Sequence, residues 1–85
     1  MTVVVPTPLR SYTRGEATVE ARGATLADVL ADLDARYPGM RFRMINEQGK
    51  VREHIRFFVD GELARGLEVA VGEREVHIVC ALSGG

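Results

Sequence analysis

This chain has few reactive groups. It holds one cysteine, Cys80, which leaves no internal disulfide and no cysteine-rich zinc site. Neither sign of charge is in excess. Eleven Lys and Arg stand against 12 Asp and Glu, a formal charge of -1, which argues against binding nucleic acid by phosphate neutralisation. Its apolar runs are only a handful of residues long, so no membrane span is expected. The opening residues show no basic patch followed by a long apolar segment, so no secretory signal is visible and a cytoplasmic location is expected. Neither a GxxxxGK[ST] phosphate loop nor GxGxxG occurs. What remains is 85 residues, 46% hydrophobic and 27% charged, the balance of one small globular domain.

Patterning predicts the order of elements. Met1 to Val5 is a β-branched run that Pro6 and Pro8 end. Glu16 to Ala21 alternates, with Ala17, Val19 and Ala21 on one face. Thr25 is a good helix N-cap, and Asp28 three residues later completes a capping-box variant. Leu26, Val29, Leu30, Leu33 and Tyr37 form one apolar stripe, Asp32 and Arg36 can pair on the other side, and Pro38-Gly39 stop the helix. Met40, Met44 and Ile45 fit a short helical turn before a surface loop at Asn46 to Lys50. His54 to Val59 is a strand with Ile55, Phe57 and Val59 facing inward. Asp60-Gly61 is a tight turn, Leu63 to Val71 a short, poorly formed strand, and Glu75 to Leu82 the last strand. The expected fold is α+β: a mixed sheet with the helix stripe lying on Val3, Val5, Val19, Phe57, Val59, Val76 and Ile78.

An internal reaction centre is hard to assemble. His54, His77 and Cys80 are the ligand types available for a metal, but His77 and Cys80 stand three apart on one strand and face opposite surfaces. Cys80 falls on the inward parity of an apolar strand and reads as a small hydrophobe rather than a nucleophile. The locally basic middle, Arg41, Arg43, Lys50, Arg52 and Arg56, is either a solvated face or a docking surface for an acidic partner. The end of the chain is distinctive. At a glycine usage of about 7%, two terminal glycines arise by chance roughly once in 200. Here Gly84-Gly85 follow a strand with Ser83 as spacer, a slim segment able to thread a narrow channel and to present the α-carboxylate of Gly85.

With these features the chain resembles the ubiquitin-like sulfur carriers of the ThiS/MoaD superfamily over nearly its whole length. The resemblance rests on the order of elements, the Gly23-Ala24-Thr25-Leu26 helix entry with Val29-Leu30 behind it, Phe58-Val59-Asp60-Gly61, the Glu75-Val76 strand and the closing Leu82-Ser83-Gly84-Gly85. Val5-Pro6-Thr7-Pro8-Leu9-Arg10 with Tyr12-Thr13 is similar to the CysO-like branch. Two departures are visible: Cys80-Ala81 stand where the family often has proline and alanine, and Gly72-Glu73-Arg74-Glu75 where it often has Asp-Gly-Asp.

The resemblance implies a β-grasp fold over residues 1–82, with Ser83, Gly84 and Gly85 as a flexible tail. It implies a carrier rather than an enzyme. An E1-like adenylating partner of the MoeB/ThiF kind would use ATP and magnesium to activate Gly85. A sulfur donor would convert it to a thiocarboxylate. A downstream enzyme, such as a pyridoxal-phosphate-dependent cysteine synthase, would take the sulfur, with a metalloprotease releasing the product. The chain itself would bind no cofactor and would act as a monomer. Phe58, His77 and Val79, which share outward parity, would lie on the uncovered sheet face as a partner surface. Two other classes remain open: a protein modifier joined to lysines through Gly85, and a plain interaction module.

Overall fold

Alternating valines start the sheet. Val3 and Val5 point into the core, and Pro6 cannot continue the ladder, so strand β1 is only Thr2–Val4. The chain then turns through a 3-10 helix at Thr7–Leu9 that buries Leu9. The buried Thr13 hydroxyl lies 3.2 Å from the Arg10 carbonyl and 2.8 Å from that of Glu16, bracing the connection to β2 (Thr18–Glu20). The computed structural model describes residues 1–81. The helices follow as α1 (Leu26–Arg36) and α2 (Met40–Met44), then β3 (Ile55–Val59), β4 (Glu62–Leu63) and β5 (Val76–Cys80).

The sheet order is β2-β1-β5-β3-β4. β1 and β5 run parallel at its centre, while β1–β2, β3–β5 and β3–β4 are antiparallel. This is the mixed sheet that the β-grasp resemblance implies. Helix α1 begins with the expected capping box, in which Asp28 N–H donates to Thr25 Oγ1 and Thr25 N–H donates back to the Asp28 carboxylate. Leu26, Val29, Leu30 and Leu33 are fully buried and join Val3, Val5, Val19, Phe57, Val59, Val76 and Ile78 in one core. Complete burial of each such aliphatic side chain is worth roughly 1.5–3 kcal/mol. Met40, Met44 and Ile45 are buried in the same core, so α2 closes one end of it.

Several expectations are corrected. Ala17 is exposed, because β2 starts only at Thr18 and the preceding residues belong to the turn. Tyr37 lies beyond the helix as its C-cap and is half-buried. His54 is exposed ahead of β3, and β5 runs from Val76 rather than Glu75 and ends at Cys80 rather than Leu82. The strand expected over Leu63 to Val71 is only Glu62–Leu63. The rest of that segment spends its hydrogen bonds on the helix: Leu67 and Val69 carbonyls accept from the Ala27 and Leu26 amides, and Val71 N–H donates to the Ala24 carbonyl. Those helix amides are donors that the first turn leaves without an intrahelical partner. Gly23 is needed for a different closeness. A Cβ there would lie 2.6 Å from the Val29 nitrogen, so only glycine lets the chain pass this tightly over the first turn of α1.

Candidate functional site

Strand β5 is the middle strand of the sheet and precedes Ser83-Gly84-Gly85 in the sequence. Its inward positions, Val76 and Ile78, are core. Its outward positions, His77 and Val79, lie on the sheet face opposite α1, as sequence parity expects. Register carries one row of side chains across all five strands on that face. Thr18 opposes Val4, Val4 adjoins His77, His77 opposes Phe58, and Phe58 opposes Leu63. Arg56 opposes Val79 in the next row. The structure therefore brings Phe58, His77 and Val79 together and adds Val4, Leu63 and Arg56. Val4 was accessible from parity alone, since Val3 and Val5 point inward. Leu63 was not, because its strand lacks a legible pattern.

The face is mainly apolar and partly wet. Val79 is 38% exposed and Leu63 41%, while Val4 and Phe58 are half-buried. Half-buried apolar side chains spread across a sheet give a contact area without destabilising the body. His77 Nε2 lies 2.7 Å from Glu75 Oε1, with both side chains open to solvent. This polar pair sits beside the apolar row and orients the imidazole. The β3–β4 turn is fixed to the start of β5 as well: Asp60 N–H donates to the Glu75 carbonyl, and Glu75 N–H donates to the Asp60 carboxylate. Asp60 and Gly61 both take positive φ, as a two-residue hairpin turn of this hand requires.

Cys80 opposes Ile55, is half-buried and packs against the core, and burial pushes its thiol up from the ordinary value. It stays protonated at neutral pH and has little nucleophilic character. His77 lies on the open face and Cys80 on the other parity, so these two potential ligands do not converge. Among the described residues there is no group of three or more His, Cys, Asp or Glu able to hold a metal. No helix among them is long and apolar enough to cross a membrane. Ala81 closes the described chain by donating its N–H to the His54 carbonyl. Leu82, Ser83, Gly84 and Gly85, the expected reactive segment, lie outside the described residues.

A central parallel pair, antiparallel flanks and one helix across one face define a ubiquitin-like β-grasp protein. The ThiS family model matches residues 3–85, and the chain belongs to that family. It is 36% identical to the sulfur carrier protein CysO of Mycobacterium tuberculosis, over all of this chain and 98% of that protein, and is a homologue of it. A chain of the solved Amycolatopsis orientalis BexX/CysO complex superposes with a TM-score of 0.90 at 36% identity, covering 99% of this chain and 98% of that one. SAMP1 of Haloferax volcanii superposes at 0.79 with 27% identity, covering 99% of this chain and 97% of that one. Sulfur carriers of this family are small carrier proteins.

Proposed function

We propose that this protein carries sulfur on its C-terminal residue, as a thiocarboxylate at Gly85. The observation that carries the reading is the ThiS-family match running through Leu82-Ser83-Gly84-Gly85, joined to full-length similarity to CysO. A terminal carboxylate ionises near pH 3.5 and is a poor electrophile at neutrality. The proposed sequence begins with an E1-like partner. The Gly85 carboxylate attacks the α-phosphate of ATP, pyrophosphate leaves, and an acyl-adenylate forms, with the partner's magnesium and basic groups stabilising the charge. Hydrosulfide then attacks the acyl carbon, AMP leaves, and a proton is lost to give the thiocarboxylate. A persulfide donor serves equally once a thiol reduces the mixed acyl disulfide. A downstream enzyme takes the sulfur. Resemblance to the CysO branch favours a pyridoxal-phosphate-dependent cysteine synthase, followed by a metalloprotease that restores the carboxylate.

Within this scheme the body, residues 1–82, has no turnover of its own and acts as a monomeric, cytoplasmic co-substrate, while Ser83, Gly84 and Gly85 form the tail. Phe58, His77 and Val79 with Val4 and Leu63 form the surface on which the activating enzyme docks. Gly84 supplies slimness, and Ala81, Leu82 and Ser83 supply reach into that enzyme's active site. The test is intact-mass analysis after incubation with ATP, sulfide and a cognate adenylating enzyme. The expected gain is about 16 Da, oxygen replaced by sulfur through the activated acyl. No gain, or the same gain after deletion of Gly85, refutes the assignment. The similarity to SAMP1 of Haloferax volcanii, a small archaeal modifier protein, supports a second reading in which activated Gly85 is joined to lysines. Higher-mass conjugates in the protein's own cells are the mark of that outcome.

A further inference from the structure

Beside the sheet face, on the β4 side of β3, lies a groove of about 370 Å³. Its apolar contacts include Leu63 and Leu67, and three arginines line it: Arg52, Arg56 and Arg65. Glu53 is the only acidic side chain among its lining residues, with the Glu68 carboxylate beside Gly66 at the rim. The chain as a whole has more acids than bases, so this basic cluster is a local segregation of charge. None of the three arginines forms an ion pair among the described residues.

Two of them are nevertheless held in place. Arg52 Nε donates to the Phe42 carbonyl at 2.7 Å, and its guanidinium stacks 4.6 Å from the centre of the Phe42 ring. Arg56 Nη1 donates to the carbonyls of Glu53 and Ile55 at 2.7 and 2.8 Å. Each guanidinium has five N–H donors, so anchoring by carbonyls spends only some of them and neutralises no charge. Orienting an arginine in advance lowers the ordering cost when a carboxylate arrives. Two anchored arginines, a third without an ion pair and an apolar floor meet here in one concavity at the edge of the sheet.

We propose that this groove docks an acidic segment of a partner protein. Its carboxylates bridge to Arg52, Arg56 and Arg65, and an apolar side chain between them settles on Leu63 and Leu67. The overall charge of -1 disfavours nucleic acid as the occupant, and the apolar floor is of no use to a small inorganic anion. Leu63 belongs both to the groove and to the row containing Phe58, so a partner on the sheet face can reach the groove without a second, separate footprint. Binding here requires no activation of Gly85 and is testable apart from sulfur transfer.

The experiment is an NMR titration of the ¹⁵N-labelled full chain with a short capped peptide of glutamates interrupted by leucines. A lysine-for-glutamate counterpart and inorganic phosphate serve as parallel probes. Amide shifts are expected at residues 51–57 and 63–67 with the glutamate peptide alone. The double variant Arg56→Glu/Arg65→Glu should weaken binding by about tenfold or more, while Arg74→Glu, in the turn before β5 and outside the groove lining, changes it by less than about twofold. Arg65 makes no side-chain hydrogen bond among the described residues, so Arg65→Glu alone carries the comparison if Arg56→Glu disturbs the fold. Absence of binding, shifts confined to the sheet face, equal binding of the lysine peptide, equal loss with Arg74→Glu, or matching affinity and shifts with phosphate would each overturn the proposal.

Discussion

Phe57 and Phe58 are neighbours in β3 with opposite fates, and exchanging each for a small or charged residue separates folding from docking. Phe57 is 2% exposed and packs in the core with Ile55, Val59 and Ile78. Phe57→Ala leaves a cavity that costs about 3–5 kcal/mol, a large share of the roughly 5–15 kcal/mol that holds a domain together. Phe58 is half-buried on the open face between His77 and Leu63. Complete burial of a phenylalanine is worth roughly 1.5–3 kcal/mol, so Phe58→Asp forfeits about half of that. A further fraction of a kcal/mol follows from the poor strand preference of aspartate. Together these amount to about 1–2 kcal/mol, a fall in Tm of roughly 4–16 °C for a domain of this size. Docking should suffer more. An aromatic anchor at the centre of an interface contributes about 2 kcal/mol or more, so affinity for the activating enzyme falls by about thirtyfold. Thermal unfolding measures the first quantity and calorimetric titration against the adenylating enzyme the second. Unchanged affinity in a folded Phe58→Asp chain removes the sheet face from the docking surface. A loss of stability as large as that of Phe57→Ala removes the structural premise.

Two further outcomes concern the body. Gly23→Ala places a methyl group against the Val29 and Asp28 backbone at 2.6–2.8 Å. The chain must move off the first turn of α1, at a cost of about 1–3 kcal/mol in chemical denaturation, although glycine-to-alanine changes elsewhere often stabilise. Asp32 has its carboxyl held below the usual 3.8, first by the Arg22 amide at 2.9 Å and then by Arg36 at 2.9 Å. A lowered carboxylate contributes stability that is complete above its unfolded pKa and is lost as pH falls through its folded pKa. Acidification below about pH 5 therefore weakens the wild-type chain progressively, and Asp32→Asn should show a shallower decline in Tm over that window. An unchanged acid profile would mean that the Arg22 and Arg36 contacts do not persist in solution.

Much of the body was legible because its determinants are local. The Thr25 cap, the Leu26-Val29-Leu30-Leu33 stripe and the alternation in β3 and β5 are each written within a few residues and appear as expected. The segment from Leu63 to Val71 misled for a physical reason. Leu67, Val69 and Val71 alternate like a strand, yet backbone groups of these residues bond to the chain around the start of α1 rather than to the sheet. Periodicity reports which side chains turn inward and is silent about which backbone a carbonyl will meet. Gly23 escaped for the same reason, since the close approach that demands glycine is tertiary. On the open sheet face, parity placed Phe58, His77 and Val79 together, as the register shows. The wider row needed strand order, because Val4 and His77 become neighbours only when β1 and β5 pair in parallel across the length of the domain.

The body also suits the chemistry proposed for Gly85 in a way that strand order alone does not reveal. An activated acyl group is exposed to any nearby nucleophile, and a carrier must not acylate itself. Cys80 is the one thiol and lies only a few residues before the terminus, but its burial against the core keeps it protonated. Among 11 basic residues only Lys50 bears a primary amine, and the others are arginines, whose guanidinium stays charged and does not attack an acyl carbon. Lys50 closes the loop that starts at Asn46, donating its amide to the Asn46 side chain and accepting the Asn46 amide at its carbonyl. Arginine can thus supply the positive charge of the groove without adding acceptors for the activated end. Were the protein joined to lysines instead, chains of it linked through its own side chains would have one possible branch point, Lys50. A Lys50→Arg variant that still formed side-chain-linked homopolymers would contradict this account.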